Sequence, residues 1–209
     1  GIDGINGIDG IDGTNGTDGQ DGTASCIACH NNSHRAAIQT AYEMSGHAEG
    51  GAVGYAGSRD NCSRCHSHEG YMNYISGRPA VDIDSPTPVS CTTCHDKHSP
   101  CDFVNDGHDF ALRRLDPVTL FIDDATILDF EGSSNSCIEC HQPRNSYAIP
   151  GDTGDYEITS KRFGPHHGPQ STFLYGIMGA NIAGSEAYPT PGSAKHQEFS
   201  SCTQCHMSA

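Results

Sequence analysis

Cys26-Ile27-Ala28-Cys29-His30 is the first copy of a five-residue pattern, Cys-x-x-Cys-His, that the chain contains five times. The other copies occupy residues 62–66, 91–95, 137–141 and 202–206. Two cysteines three positions apart lie on one face of a helical turn, so both thiols can form thioethers to the vinyl groups of one haem. The histidine that follows offers an imidazole to the iron. Each copy therefore predicts one covalently attached haem of the c type.

Cys-x-x-Cys pairs also bind zinc or act as redox dithiols, but neither chemistry requires a histidine directly after every pair. Because the chain has 13 histidines in 209 residues, five chance occurrences have odds of roughly one in a million. We therefore expect five haems c, each with its iron, as cofactors. The predicted thioether cysteines are Cys26, Cys29, Cys62, Cys65, Cys91, Cys94, Cys137, Cys140, Cys202 and Cys205, and the predicted proximal histidines are His30, His66, His95, His141 and His206.

The composition is unsuited to an ordinary protein core. Apolar residues make up 34% of the chain, tryptophan is absent, and 25 positions are glycine. Such a chain buries too little apolar side chain to offset the entropy lost on folding. Five porphyrins would supply the missing apolar surface. We expect a multihaem cytochrome c fold, mostly coil with short helices and at most one small β-hairpin, in which the haems form the core.

The chain is strongly acidic, with a formal charge of −15. This charge argues against a nucleic-acid partner and against anionic membrane surfaces. No run of 18 apolar residues is present, so no membrane span is predicted. Because this kind of haem attachment normally follows export, we expect a mature chain whose signal peptide has been removed. Its compartment would be the periplasm or, as the preferred prediction, the cell surface and extracellular space.

Residues 1–22 carry glycine at every third position, which is typical of a collagen-like or polyproline-II helix. The repeat has no proline, which weakens the case for a triple helix. Three arrangements remain open: an arm docked on a neighbouring copy, a multi-chain bundle, and an arm packed on its own chain. Its aspartates could also bind Ca²⁺, although their spacing matches no specific calcium loop. The chain thus divides into this arm and a pentahaem domain over residues 23–209.

Local patterns predict few regular elements outside the motifs. Ser33 is a candidate N-cap for a helix that Gly46 would end. A run of β-branched and aromatic residues predicts a hairpin that turns at Asp124 and Ala125. The predicted elements are a helix over 34–45, a glycine-rich loop over 48–58, strands over 119–123 and 126–130, and a weaker helix over 171–182.

Eight histidines remain outside the motifs, which is enough to give every iron a second axial imidazole. His166 and His167 are adjacent, and neighbouring residues of an extended stretch point to opposite sides, so this pair could ligate two irons. His98 would serve a haem other than the one held by His95, whose iron lies across the porphyrin. The preferred distal ligands are His47, His98, His166, His167 and His196, with His34, His68 and His108 in reserve and a histidine of an adjacent subunit as a further alternative.

Two histidines on each iron would close it to substrate, whereas a haem enzyme needs an open position. The surplus of histidines over irons therefore argues against an enzyme. Cys101 is the one cysteine outside the motifs. We interpret it as a buried free thiol, with an intermolecular disulfide as the alternative.

Five segments together resemble a known family. They read Ser-Gly-His (45–47), Cys-Ser-Arg-Cys-His (62–66), Cys-Thr-Thr-Cys-His-Asp-Lys-His (91–98), Cys-Ile-Glu-Cys-His-Gln-Pro-Arg (137–144) and Arg-Phe-Gly-Pro-His-His-Gly-Pro-Gln (162–170). They are similar to the extracellular multihaem cytochromes that polymerise into conductive filaments, most closely the small OmcE-type members, over residues 45–209. The resemblance implies subunits stacked into one continuous haem chain, with a histidine of one subunit able to ligate a haem of the next. This chain differs from the tetrahaem members by its first motif and by the arm.

Three functions remain open on these patterns. The first is an extracellular electron conduit, a head-to-tail homopolymer that delivers electrons to external acceptors. The second is a soluble periplasmic or surface shuttle that exchanges electrons with redox partner proteins. The third is a multihaem reductase with one open iron. The filament is the preferred hypothesis, because the resemblance and the repeat arm both favour it.

Overall fold

The computed structural model describes residues 24–98, 110–144, 157–159, 163, 170–177, 183–193 and 202–206. Within these residues the helices are α1 (Ala24–His30), α2 (Asn32–Glu43), α3 (Gly46–Glu49), α4 (Asp60–His66), α5 (His68–Ile75), α6 (Cys91–Cys94), α7 (Ser133–Ile138), α8 (Gln170–Tyr175) and α9 (Cys202–His206). A π-helical turn spans Val53–Gly57, and the antiparallel strands β1 (Val118–Leu120) and β2 (Asp123–Leu128) form the sheet. The expected short helices and small hairpin are confirmed in this part of the chain. No helix in these ranges is long and apolar enough to cross a membrane.

Helix α2 begins earlier than the sequence pattern predicted. Its N-cap is Asn31, whose side-chain oxygen accepts a hydrogen bond from the backbone N–H of His34 at 2.8 Å. The prediction of Ser33 as the cap is therefore wrong. Ser33 lies inside the helix, and its hydroxyl donates to the same Asn31 oxygen at 2.6 Å. The longer amide side chain of Asn31 reaches an unpaired N–H of the first turn, that of His34, and sets the start of the helix.

The predicted helix end at Gly46 is also wrong, because Gly46 is the first residue of α3. Ser45 caps this short helix, its hydroxyl accepting a hydrogen bond from a backbone N–H of α3. The helix ends at Gly50, whose φ of 60° lies in the left-handed region that glycine adopts without strain. The segment 48–58, predicted as a loop, thus contains the end of a helix and the π-helical turn.

Helices α4 and α5 pack together through Gly70. The hydroxyl of Ser67 caps α5 by accepting a hydrogen bond from the Gly70 N–H at 3.2 Å. Gly70 lies so close to Ser63 that a Cβ added to it would be 2.3 Å from the Ser63 carbonyl carbon. Because a larger residue would push the backbones apart, this contact holds the second motif against the helix that follows it.

The predicted hairpin is confirmed, but its turn lies earlier than expected. Val118 pairs with Leu128, and the register then slips so that Leu120 pairs with Asp123. The turn is therefore at residues 121–122, and the prediction of a turn at 124–125 is wrong. The slip keeps Val118, Leu120 and Leu128 buried on one side, where they pack on Ile138 of α7. Burial of these side chains decides the register.

Few apolar side chains are buried in the described residues, as the composition predicted. The buried set is Ala56, Tyr71, Ala111, Val118, Leu120, Leu128 and Ile138. Several large apolar side chains are exposed instead, among them Met44 at 85% and Phe110 at 63%. The weak helix predicted over 171–182 is present as α8, which ends before Gly176 (φ 79°); residues 178–182 lie outside the described ranges.

Candidate haem sites

Every Cys-x-x-Cys-His motif lies on or at the end of a short helix. The first, second and fifth motifs are helical throughout, in α1, α4 and α9. In the third motif the helix ends at Cys94, and His95 adopts extended backbone. In the fourth, α7 ends at Ile138 and the motif continues as a turn. None of the ten motif cysteines is disulfide-bonded, so each motif has the two thiols that thioether formation requires.

The predicted distal ligand His98 faces the proximal histidine of the first motif. The ring centroids of His30 and His98 lie 6.0 Å apart, with an angle of 86° between the ring planes. These residues are separated by 68 positions in the numbering, so the contact is long-range. The contact brings His98 to the first motif.

The predicted distal ligand His47 faces the proximal histidine of the fourth motif in the same way. The ring centroids of His47 and His141 lie 5.9 Å apart, at an interplanar angle of 62°. Desolvation lowers the pKa of His141, and the neighbouring His47 and His206 lower it further. A lowered pKa keeps the imidazole neutral, which is the form that binds a metal.

Both separations suit an iron held between two imidazoles. A metal lies about 2.0–2.1 Å from an imidazole nitrogen, which puts the centroids of two opposed rings roughly 6 Å apart. Two histidine pairs from distant parts of the chain share this spacing. The imidazoles present would therefore suit the two protein ligands of a haem iron.

The proximal histidine of the third motif is oriented by a backbone carbonyl. Nδ1 of His95 lies 2.7 Å from the carbonyl oxygen of Phe110, which can only accept, so Nδ1 carries the proton. This leaves Nε2 as the nitrogen that would bind a metal. Phe110 and Ala111 hold positive φ angles of 51° and 52°, and the Asp96 N–H donates to the Ala111 carbonyl at 2.8 Å. The strained turn thus fixes the carbonyl that orients His95.

The structure also shows where four further predicted ligands lie. His66 ends α4 and His206 ends α9. Among the reserve ligands, Nδ1 of His68 lies 2.8 Å from the hydroxyl of Thr93, inside the third motif, while His34 is exposed on α2. Several predicted features lie outside the described residues. They are the repeat arm, the preferred ligands His166, His167 and His196, the reserve ligand His108, and Cys101.

The fourth motif contacts two other motifs through its thiols. A hydrogen bond between Cys65 and Cys140 lowers the pKa of Cys65 and raises that of Cys140. A second such bond, from Cys137, lowers the pKa of Cys202 to about 6. The backbone N–H of Cys202 also donates to the hydroxyl of Ser134 at 2.9 Å. The second, fourth and fifth motifs therefore form one contiguous group.

Sequence reasoning missed the residues that support these motifs. Phe110 acts through its carbonyl, so no side-chain pattern marks it. Thr93 and the other residues between the paired cysteines counted only as spacers in the pattern. Thr93 is nevertheless buried, and its hydroxyl accepts from the backbone N–H of Ser90 at 2.8 Å. A capping-box pattern of Ser and Thr three residues apart is the one signal that was available.

Comparison with protein-family models, curated proteins and solved structures found no match for this chain.

Proposed function

We propose that this chain transfers electrons through five covalently bound haems c, each held by a Cys-x-x-Cys-His motif and closed by a second histidine. The observation that carries the proposal is that two pairs of imidazoles lie close together. The ring centroids of His30 and His98 are 6.0 Å apart, and those of His47 and His141 are 5.9 Å apart. The haems supply the redox chemistry, and the chain supplies the ligands, the orientation and the exclusion of other iron ligands.

The spacing of the two pairs supports a specific choice of distal ligands. His98 closes the haem of the first motif, and His47 closes the haem of the fourth. In the third motif, the hydrogen bond from His95 Nδ1 to the Phe110 carbonyl leaves the other ring nitrogen to hold the iron. Because an iron with two histidines has no position for substrate, the protein is a conductor of electrons rather than an enzyme.

In its biological setting the protein is a subunit of an extracellular conductive filament, a head-to-tail homopolymer that reaches external electron acceptors. The support is the resemblance in the motif segments, together with the exposed apolar side chains and the excess of histidines over irons. An exported chain at the cell surface fits covalent haem attachment and the strong negative charge.

A soluble shuttle that serves redox partner proteins is the second candidate. It is favoured by the fact that both opposed histidine pairs come from a single chain. Electron micrographs of the purified holoprotein separate the two candidates: uniform filaments support the conduit, and dispersed particles of one chain support the shuttle.

The proposed ligands are tested by His98→Ala and His47→Ala, with Gln39→Ala on the exposed face of α2 as the control. Intact mass should show five haems per chain in every protein. Absorption and magnetic resonance spectra should show one high-spin haem in each of the two ligand variants and none in the control. Fewer than five haems in the unaltered protein, or unchanged spectra in both ligand variants, would contradict the proposal.

A further inference from the structure

Residues between the paired cysteines of the second and fourth motifs, together with Arg114, form an ion cluster around one buried carboxylate. Glu139 precedes Cys140, and its side chain is only 1% exposed. One carboxylate oxygen accepts a hydrogen bond from Nε of Arg114 at 3.0 Å. The other lies 3.8 Å from Nη2 of Arg64, the residue that precedes Cys65. The cluster thus spans two haem-attachment motifs.

Two aromatic rings shield the Arg64 guanidinium. Its central carbon lies 3.6 Å from the ring centroid of Tyr74 and 3.0 Å from that of Phe121. Stacking on aromatic faces stabilises a cation that has lost much of its water. The thiol of Cys140 also lies 3.7 Å from the carbonyl oxygen of Arg64. The cation is therefore held at the place where the two motifs meet.

The cluster carries excess positive charge. Arg64 and Arg114 are two cations against the single carboxylate of Glu139, and guanidinium groups keep their charge at all physiological pH values. Removing Glu139 from water while leaving it paired to two cations is tolerated, whereas an isolated buried carboxylate would not be. Charges in such a place act over longer distances than charges in water, because the surrounding dielectric constant is low.

We propose that Arg64, Glu139 and Arg114 are positioning residues that lock the second motif against the fourth and raise the reduction potentials of the two haems attached there. The inference rests on the proposed haem function. Reduction adds an electron to a haem, so a neighbouring net positive charge stabilises the reduced form. The same charge keeps electrons on this haem pair in preference to the others of the chain.

The third motif provides a solvent-exposed comparison. Asp96 directly follows His95 and pairs with Arg113 at 2.9 Å, but its side chain is 54% exposed. Water and salt screen this pair, so removal of its negative charge should act weakly on the neighbouring haem. Asp96→Asn and Glu139→Gln make the same change of charge next to a haem motif and differ in burial.

Spectroelectrochemical titration of the holoprotein tests the inference. In Glu139→Gln, two of the five haems should shift to more positive potentials, and in Arg64→Gln the same two should shift to more negative ones. Arg64→Lys loses the planar stacking but keeps the charge, so its potentials should stay near those of the unaltered protein. Asp96→Asn should shift the potential of the neighbouring haem by only a small fraction of the Glu139→Gln shift.

Equal potentials in Arg64→Gln and Arg64→Lys, with five haems attached in each, would overturn the inference, and this comparison stands even if Glu139→Gln does not fold. A shift in Asp96→Asn as large as that in Glu139→Gln would also overturn it, because burial would then be irrelevant. Fewer than five haems in the unaltered protein contradicts the proposed function instead, so the two failures are distinguishable by intact mass.

Discussion

The first and fourth motifs share one five-residue pattern, yet the protein supports them differently. The first lies in the N-terminal helices (residues 24–49), where α2 and α3 have no buried residue. The fourth lies in a packed block (residues 60–75 and 118–143), where α7 alone buries Ser134, Asn135, Ser136 and Ile138. The packed block is thus supported by protein contacts, whereas under the proposed function the N-terminal helices would depend on the haem and on His98.

The largest effect is expected when haem attachment is removed from the packed block. Replacing Cys137 and Cys140 by alanine should prevent accumulation of folded holoprotein, because the second and fifth motifs both contact this one. The matched change of Cys26 and Cys29 should yield a folded protein with four haems. Haem staining, intact mass and secretion yield measure both outcomes. An equal loss of folded holoprotein in the two double variants would contradict the difference between the packed block and the N-terminal helices.

A glycine in each region gives the next largest difference. Gly70→Ala should destabilise the holoprotein by about 3 kcal/mol or more, because the new methyl group meets the Ser63 backbone. Gly46→Ala has open space around it and should change stability by less than about 1 kcal/mol. Urea unfolding followed by the haem absorption band compares the two. A tolerated Gly70→Ala would show that α4 and α5 pack less closely.

Two asparagines, Asn135 in the packed block and Asn31 in the N-terminal helices, should differ in their contribution to stability. Asn135 is buried and bonds the Phe130 N–H, the Leu115 carbonyl and Asp129, each at 2.9 Å. Its replacement by alanine should cost about 2–3 kcal/mol, because buried backbone groups lose their partners. Asn31→Ala removes only a helix cap and should cost about 1 kcal/mol. Urea unfolding measures both variants. Equal losses in the free energy of unfolding would indicate that both asparagines are solvent-exposed in solution.

The smallest expected effect is a pH dependence confined to the packed block. Hydrogen bonds from Asn135 and the Glu131 N–H hold the pKa of Asp129 below its ordinary value of 3.8. A carboxylate with a depressed folded-state pKa contributes stability above the unfolded pKa, and this contribution is lost as pH falls through the folded pKa. Below about pH 4, the unaltered protein should therefore lose stability more steeply than Asp129→Asn. If the free energy of unfolding falls equally with pH in the two proteins, Asp129 does not contribute to the acid sensitivity.

Local patterns predicted the short helices, the hairpin and the histidines His47 and His98 that face motif histidines. Those signals lie within a few residues, or follow from residue type alone. The pairing of His98 with His30 and of His47 with His141 was not predictable, because it depends on contacts between distant parts of the chain. Arg64 and Glu139 were missed for a related reason: the motif treats them as spacers, and only packing makes them neighbours.

The errors at the helix boundaries have local physical causes. Both Asn31 and Ser33 are good N-caps, and the choice between them depends on which side chain reaches the free N–H groups of the first turn. Gly46 is a common helix terminator, but the hydroxyl of Ser45 starts a new helix at that point. The hairpin turn was misplaced because the burial of Leu120 and Leu128 shifts the register.

A high-resolution density map of the purified holoprotein shows which side chains bind each iron. The account predicts a haem iron between His30 and His98, and a second between His47 and His141, each bound through one nitrogen of both rings. A map in which either iron has a different distal ligand, or in which these four imidazoles bind no iron, would contradict it.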